Sequence, residues 1–190
     1  MNRRTAIYSI TGLFAAAFIS ASSWKLWSIY KKPDLSFLVI KKNLIAEIAE
    51  TIIPATDSPG AKMAKVEDFI ILMVMDCLDI KSQNNFIKGL NDLEAHTYTT
   101  FRKSYIDCTI KERELILNHF EDASNSNGLV QKVKSRILGE SFFPLFKRLT
   151  VVGFCTSRPG ATEALGYIFI PSNFQACIQV TQNQKSWATK

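Results

Sequence analysis

Val66-Glu67-Asp68-Phe69-Ile70-Ile71-Leu72-Met73-Val74-Met75-Asp76-Cys77-Leu78 decides the fold class. A helix at a protein surface keeps a polar stripe on its outer side. Here the run Phe69 to Met75 is apolar without interruption, so at helical spacing it is apolar all round. The segment therefore predicts a central, mostly buried helix, with Asp68 suited to the positive N-terminal end of that helix.

Helical patterns continue on both sides. Upstream, over 41–53, Leu44, Ile45, Ile48, Ile52 and Ile53 share one face, and Pro54 ends the run. The connection Thr56-Asp57-Ser58-Pro59-Gly60-Ala61 fits a type II turn, with Pro second and Gly third at the position of positive φ. Downstream, Phe86, Leu90, Leu93, Thr97 and Phe101 form a stripe. Thr109-Ile110-Lys111-Glu112 is a capping box that starts a further helix, with Leu115, Ile116, His119 and Phe120 expected on its inner side. Asp122 to Gly128 is polar and reads as a loop. A long pattern from Leu129 to Phe154 contains Pro144, which is expected to kink or divide it. After Tyr167 the helical period stops and an extended segment is expected to lie over the domain. The fold class is thus all-α: a compact multi-helix domain over 34–190 with an extended C-terminal segment. Thr156-Ser157-Arg158-Pro159-Gly160-Ala161 echoes the first Pro-Gly block, which predicts matching local geometry without implying duplication.

The first 33 residues differ in kind. Arg3, Arg4, Lys25, Lys31 and Lys32 are all basic, with no acid among them. Taking those five from the 23 basic residues leaves 18 against 17 acids, so the body is nearly neutral although the whole chain carries +6. A nucleic-acid binder carries its basic residues on the folded domain, so this distribution argues against that function. From Thr5 to Trp24 no residue is charged. Paired arginines before a mildly apolar stretch resemble a twin-arginine export signal, although Ala6 and Ile7 stand where a stronger match has Phe-Leu. Two outcomes stay open: cleavage just after Ser22 or Ser23, or retention as a membrane anchor. About 20 apolar residues span a bilayer, and Trp24, Trp27 and Tyr30 suit an interfacial belt.

No catalytic constellation stands out. His96 and His119 have no metal-ligand spacing, and no phosphate-binding, dinucleotide or nucleophile-elbow motif occurs. Asp57, and the pair Asp76 and Asp79, are the candidate acids for an independent enzyme, although solvated helix-face carboxylates are far commoner. Cys77, Cys108, Cys155 and Cys177 form no C-x-x-C. Cys77 and Cys108 read as buried small hydrophobes. Cys155 and Cys177 are better placed for a disulfide within or between chains.

The block Ile52-Ile53-Pro54-Ala55-Thr56-Asp57-Ser58-Pro59-Gly60-Ala61 resembles the signature of the gluconate 2-dehydrogenase subunit 3 (gamma, or small, subunit) family. Ile53, Pro54, Ala55, Thr56, Asp57, Pro59, Gly60 and Ala61 carry the likeness. It is supported by Phe86 with Gly89-Leu90, Phe142-Phe143, Leu149-Thr150, Thr156-Ser157 with Gly160-Ala161, and a closing Tyr167-Ile168-Phe169-Ile170-Pro171 followed by Cys177 and Trp187. Ser172 departs from the family, which often has Gly there.

The resemblance implies a division of labour. A large flavin-dependent oxidoreductase partner holds FAD and the catalytic residues, a cytochrome c subunit with haem c takes the electrons, and the small subunit carries no cofactor. That subunit assists maturation of the flavoprotein and its passage through the twin-arginine translocase to the periplasm, where the complex is free or attached to the inner membrane. An exposed apolar face is then expected, with Phe142, Phe143, Phe146, Phe169 and Phe174 as candidates. A stand-alone periplasmic enzyme and a membrane-anchored structural module are the alternatives.

Overall fold

The computed structural model describes residues 30–124 and 139–168, together with 177, 179, 182 and 184–188. Among the described residues six α-helices follow in chain order: α1 (Ser36–Ile40), α2 (Lys42–Ile52), α3 (Val66–Cys77), α4 (Ile80–Phe101), α5 (Ile110–Ser124) and α6 (Phe142–Thr156). A 3-10 turn, Tyr105–Asp107, links α4 to α5, and a π-helical turn, Gly160–Ala164, follows α6. Among the described residues there is no strand, only an isolated parallel bridge between Gly166 and Trp187. The chain is all-α, as its apolar periodicity predicts.

The centre of the fold is α6, not α3. Helix α6 packs against α2, α3, α4 and α5, and it buries Phe142, Phe143, Leu145, Phe146, Leu149, Thr150, Gly153 and Phe154. The long pattern is divided close to Pro144, since residues 139–141 are not helical. The helix starts at Phe142, so Pro144 falls in the first turn, where a missing N–H has no intrahelical acceptor to lose. Leu129 to Leu138, the earlier part of the pattern, lies outside the described residues.

Two close approaches fix how α6 sits. A Cβ on Gly89 of α4 would lie 2.1 Å from Cγ of Phe142, and one on Gly153 of α6 would lie 2.6 Å from Cδ1 of Phe69. Each glycine thus makes room for a ring from the facing helix. Phe86, Phe142 and Phe146 then pack together, Phe86 stacking on Phe146 at 5.7 Å and meeting Phe142 edge-on at 5.4 Å.

Helix α3 is buried on most sides but not all. Val66, Ile70, Ile71 and Val74 are in the core, while Asp68, Leu72 and Asp76, spaced i, i+4, i+8, face outward. With neighbours α2, α4 and α6 around it, one stripe is left to solvent, and Leu72 is 58% exposed. Helix α2 buries Leu44, Ile45, Ile48 and Ala49 and ends before Pro54 as expected.

The capping box at α5 forms. A carboxylate oxygen of Glu112 accepts from the Thr109 N–H at 2.8 Å and from its hydroxyl at 2.9 Å. The same oxygen accepts from Lys103 at 2.8 Å. Lys103 first, then Thr109, hold the Glu112 carboxyl down at about 2. Its inner face, however, runs through Arg113, Ile116, Leu117 and Phe120, spaced i, i+3, i+4, i+7. Leu115 is 62% exposed and His119 is exposed, so the expected stripe is turned by about one residue. Asp79 caps α4, its carboxylate accepting from the Ser82 N–H at 3.2 Å. Among the described residues two that are not glycine adopt left-handed backbone: Lys65 (φ 52°), just before α3, and Arg102 (φ 56°), just after α4.

Candidate functional site

The Pro-Gly block forms a loop held by the end of α2. Glu50 reaches up from α2 and its two carboxylate oxygens accept from the N–H of Ala55 at 3.1 Å and of Lys62 at 2.8 Å. The Ala61 N–H donates to the Ile53 carbonyl at 3.0 Å, which closes the loop's base. Pro59, Gly60 and Ala61 are buried there, while Pro54, Ala55, Thr56 and Asp57 form an exposed tip.

Gly60 has no positive φ, so the type II turn is not formed. Its glycine serves a close approach instead. A Cβ would lie 2.4 and 2.6 Å from the Glu50 carboxylate oxygens and 2.7 Å from the Ala55 nitrogen. Gly60→Ala therefore displaces the staple, and we expect a loss of about 1–3 kcal/mol, the range for overpacking a tight site. Denaturant unfolding of the variant checks this; an unchanged midpoint would show that the loop yields without cost.

Beneath the loop lies a network of charge. Arg113 of α5 donates to Oε2 of Glu47 on α2 at 2.5 Å, and Lys62 pairs with the other Glu47 oxygen. Arg113 also donates to the carbonyls of Tyr105 at 3.2 Å and Ile106 at 2.6 Å, and its guanidinium lies 5.5 Å from the Tyr105 ring centroid. Burial pushes the Glu47 carboxyl up, but the hydrogen bonds from Lys62 and Arg113 more than reverse this, leaving it below the ordinary carboxylate value. Tyr105 is fully buried and its hydroxyl meets Thr51 Oγ1 at 3.1 Å, while that Oγ1 donates to the Glu47 carbonyl at 2.8 Å. Burial holds the phenol at about 12, so it stays protonated at neutral pH. These groups satisfy one another. The network ties loop, α2, the 3-10 turn and α5 into one unit.

The candidate acids are separated in role. Asp57 is exposed on the loop tip, Asp76 is exposed on α3, and Asp79 is engaged as the α4 cap. Among the described residues no three His, Cys, Asp or Glu side chains converge as a metal site. All four cysteines are free thiols, and Cys155 and Cys177 are not bridged to each other within the chain. Cys108 is buried as expected, whereas Cys77 is exposed.

The candidate apolar face is corrected for its helical members. Phe142, Phe143 and Phe146 are 8%, 5% and 0% exposed and form the core around α6. They are large, apolar and at the start of a helix that every neighbour touches, so they fill the centre. Phe169, Phe174, Arg3 and Arg4 lie outside the described residues. A shallow groove of about 460 Å³ does open beside α6, lined by Pro144, Lys147, Arg148, Val151 and Val152 with Glu121 and Ser124 of α5. A second, of about 260 Å³, shares Phe143, Lys147 and Glu121 and runs to Thr51 and Ile52 at the foot of the loop. Sequence spacing gives no hint of either groove, because the walls of the first come from two helices and those of the second from three. No helix among the described residues is long and apolar enough to cross a membrane.

The turn at Pro159-Gly160 differs from its echo. Pro159 is α-helical, with φ −60° and ψ −45°, and leads directly into the π-helical turn. Gly160 is again required by contact, since a Cβ would lie 1.9 Å from the Phe154 carbonyl oxygen.

A family model described as gluconate 2-dehydrogenase subunit 3 matches residues 41–171, which is 131 of the 190 in the chain. No curated protein and no solved structure matches it.

Proposed function

Since the chain belongs to the gluconate 2-dehydrogenase subunit 3 family, we propose that it is the non-catalytic small subunit of a periplasmic flavin-dependent sugar or gluconate dehydrogenase complex. The observation that carries this reading is the family match, which takes in every described helix from α2 to α6 and the stapled loop. In this reading FAD and the reacting groups belong to the large subunit, haem c to a cytochrome subunit, and this chain supplies binding surface and export. A folded flavoprotein lacking its own signal crosses a membrane only when bound to a partner that has one. The paired Arg3 and Arg4 ahead of an uncharged stretch suit that escort role. The exposed loop tip Pro54 to Asp57 is tied down by Glu50 through the Ala55 N–H, as suits a preformed binding surface.

Affinity purification of the full chain from its native host, followed by absorption spectroscopy, tests the association. A flavoprotein is expected to co-purify; a chain recovered without one would end the small-subunit reading. Replacing Arg3 and Arg4 together by Lys tests the escort. The flavoprotein should then remain in the cytoplasm, and its undisturbed arrival in the periplasm would refute that role.

A further inference from the structure

Residue spacing gives the two histidines no ligand motif, but the fold brings them together. His96 on α4 and His119 on α5 lie in contact, their ring centroids 4.3 Å apart. Among the described residues neither ring takes part in a hydrogen bond or an ion pair, so the ring nitrogens are open to an outside partner. His96 is half-buried and His119 exposed, which leaves the pair accessible from solvent. Phe120 meets both rings edge-on, at 6.0 Å and 5.8 Å, and backs them against Phe142 of the core.

The charge around the pair suits a cation. Within one turn of either histidine the two helices carry Asp92, Glu94, Glu121 and Asp122, and no Lys or Arg. Asp92 is neutralised by Lys88, Glu94 by Lys41 and Glu121 by Lys147. Asp122, exposed and three residues beyond His119, has no ion pair among the described residues.

Imidazole nitrogen is a good ligand for Zn2+, Cu2+ and Ni2+, whereas Mg2+ prefers oxygen. Two such nitrogens on one tetrahedral ion, each about 2.1 Å from it, stand roughly 3.4 Å apart. Rings with centroids 4.3 Å apart are within reach of that separation. In the stack their planes are within 8° of parallel, so the nitrogen lone pairs do not meet at one point. Turning the exposed His119 ring about its Cβ–Cγ bond removes that obstacle and costs the stacking contact.

We propose that His96 and His119 are the two protein ligands of a surface site for a first-row divalent metal ion of the zinc and copper class, with water completing its coordination. Among the described residues no third His, Cys, Asp or Glu converges there. Two ligands in place of the four of a structural zinc site make this an exchangeable site. The ligands come from different helices, so the site exists only in the folded chain and the bound ion ties α4 to α5. Helix α5 also carries Arg113 and one wall of the groove beside α6, so the ion steadies the helix on which both depend. This inference is independent of the proposed function.

Thermal unfolding of the full chain with Zn2+ tests it, beside His96→Phe and His119→Phe and with Mg2+ as the control. Phenylalanine keeps a ring in the stack and removes the ring nitrogens, which separates ligation from packing. At ten times the dissociation constant found by titration, Zn2+ should raise the wild-type midpoint by about 3–6 °C. Mg2+ should not raise it. Each variant should bind Zn2+ at least about tenfold more weakly and lose the rise. The exposed thiols of Cys77 and Cys177 also take Zn2+, but a rise due to them would survive in both variants. A rise kept by either variant, an equal rise with Mg2+, or no rise in the wild type would overturn the site. Should one variant fail to fold, the other decides.

Discussion

Phe146→Ala should be the most damaging single substitution in the domain, costing about 3–5 kcal/mol. Phe146 is fully buried on the helix that contacts four others, stacked on Phe86 and packed 5.6 Å from Phe142. Deleting its ring removes transfer energy and leaves a cavity bordered by two other rings, which cannot collapse because α3 and α4 are seated on α6 through Gly153 and Gly89. Against a total stability of about 5–15 kcal/mol, the loss is a large part of the whole. Circular dichroism should show the midpoint lowered by roughly 10 °C or more. Val151→Ala, at a partly exposed site on the same helix, should change it little. Similar effects from the two would show that α6 is not the centre of the core.

Arg113→Met should cost about 2–4 kcal/mol. The side chain is 14% exposed, and the Glu47 carboxylate it meets is 18% exposed. Methionine keeps much of the aliphatic volume but leaves one Glu47 oxygen and the Ile106 carbonyl without the Arg113 donor, while the Tyr105 carbonyl keeps only the Cys108 N–H at 3.2 Å. Lys62 still pairs with Glu47, which keeps the cost below that of stranding a lone buried charge. The substitution also has a signature in pH. Glu47 is held below its ordinary value, so its contribution is complete above about 4.5 and is lost as pH falls through its lowered value in the folded state. Without Arg113 that lowering weakens, and the acid arm of the stability profile should become shallower. Urea unfolding at neutral and acidic pH measures both effects. An unchanged acid arm would mean that Lys62 alone sets the Glu47 carboxylate.

Much of the helical framework is legible in residue order because its signals are local. The apolar face of α2, Pro54 as its stop and the Thr109–Glu112 box each depend on residues within a turn or two, and each is found in place. The centre of the fold is not legible in this way. Phe142, Phe143 and Phe146 look alike whether they face a partner or a core, and only the convergence of four helices on α6 decides between them. The reason for Gly60 is hidden for a related cause. Sequence shows a turn glycine, while the constraint is a carboxylate arriving from α2 ten residues earlier. The histidine stack depends on the packing of α4 against α5, which no spacing encodes.

The left-handed residues Lys65 and Arg102 have a practical consequence. Both bracket helices with side chains that ordinarily avoid positive φ, and each such residue costs about 1 kcal/mol relative to glycine in the same conformation. The domain thus holds unspent thermal tolerance at two exposed junctions, outside the core. An engineer seeking a hardier protein would begin at those junctions, leaving the packed interior untouched.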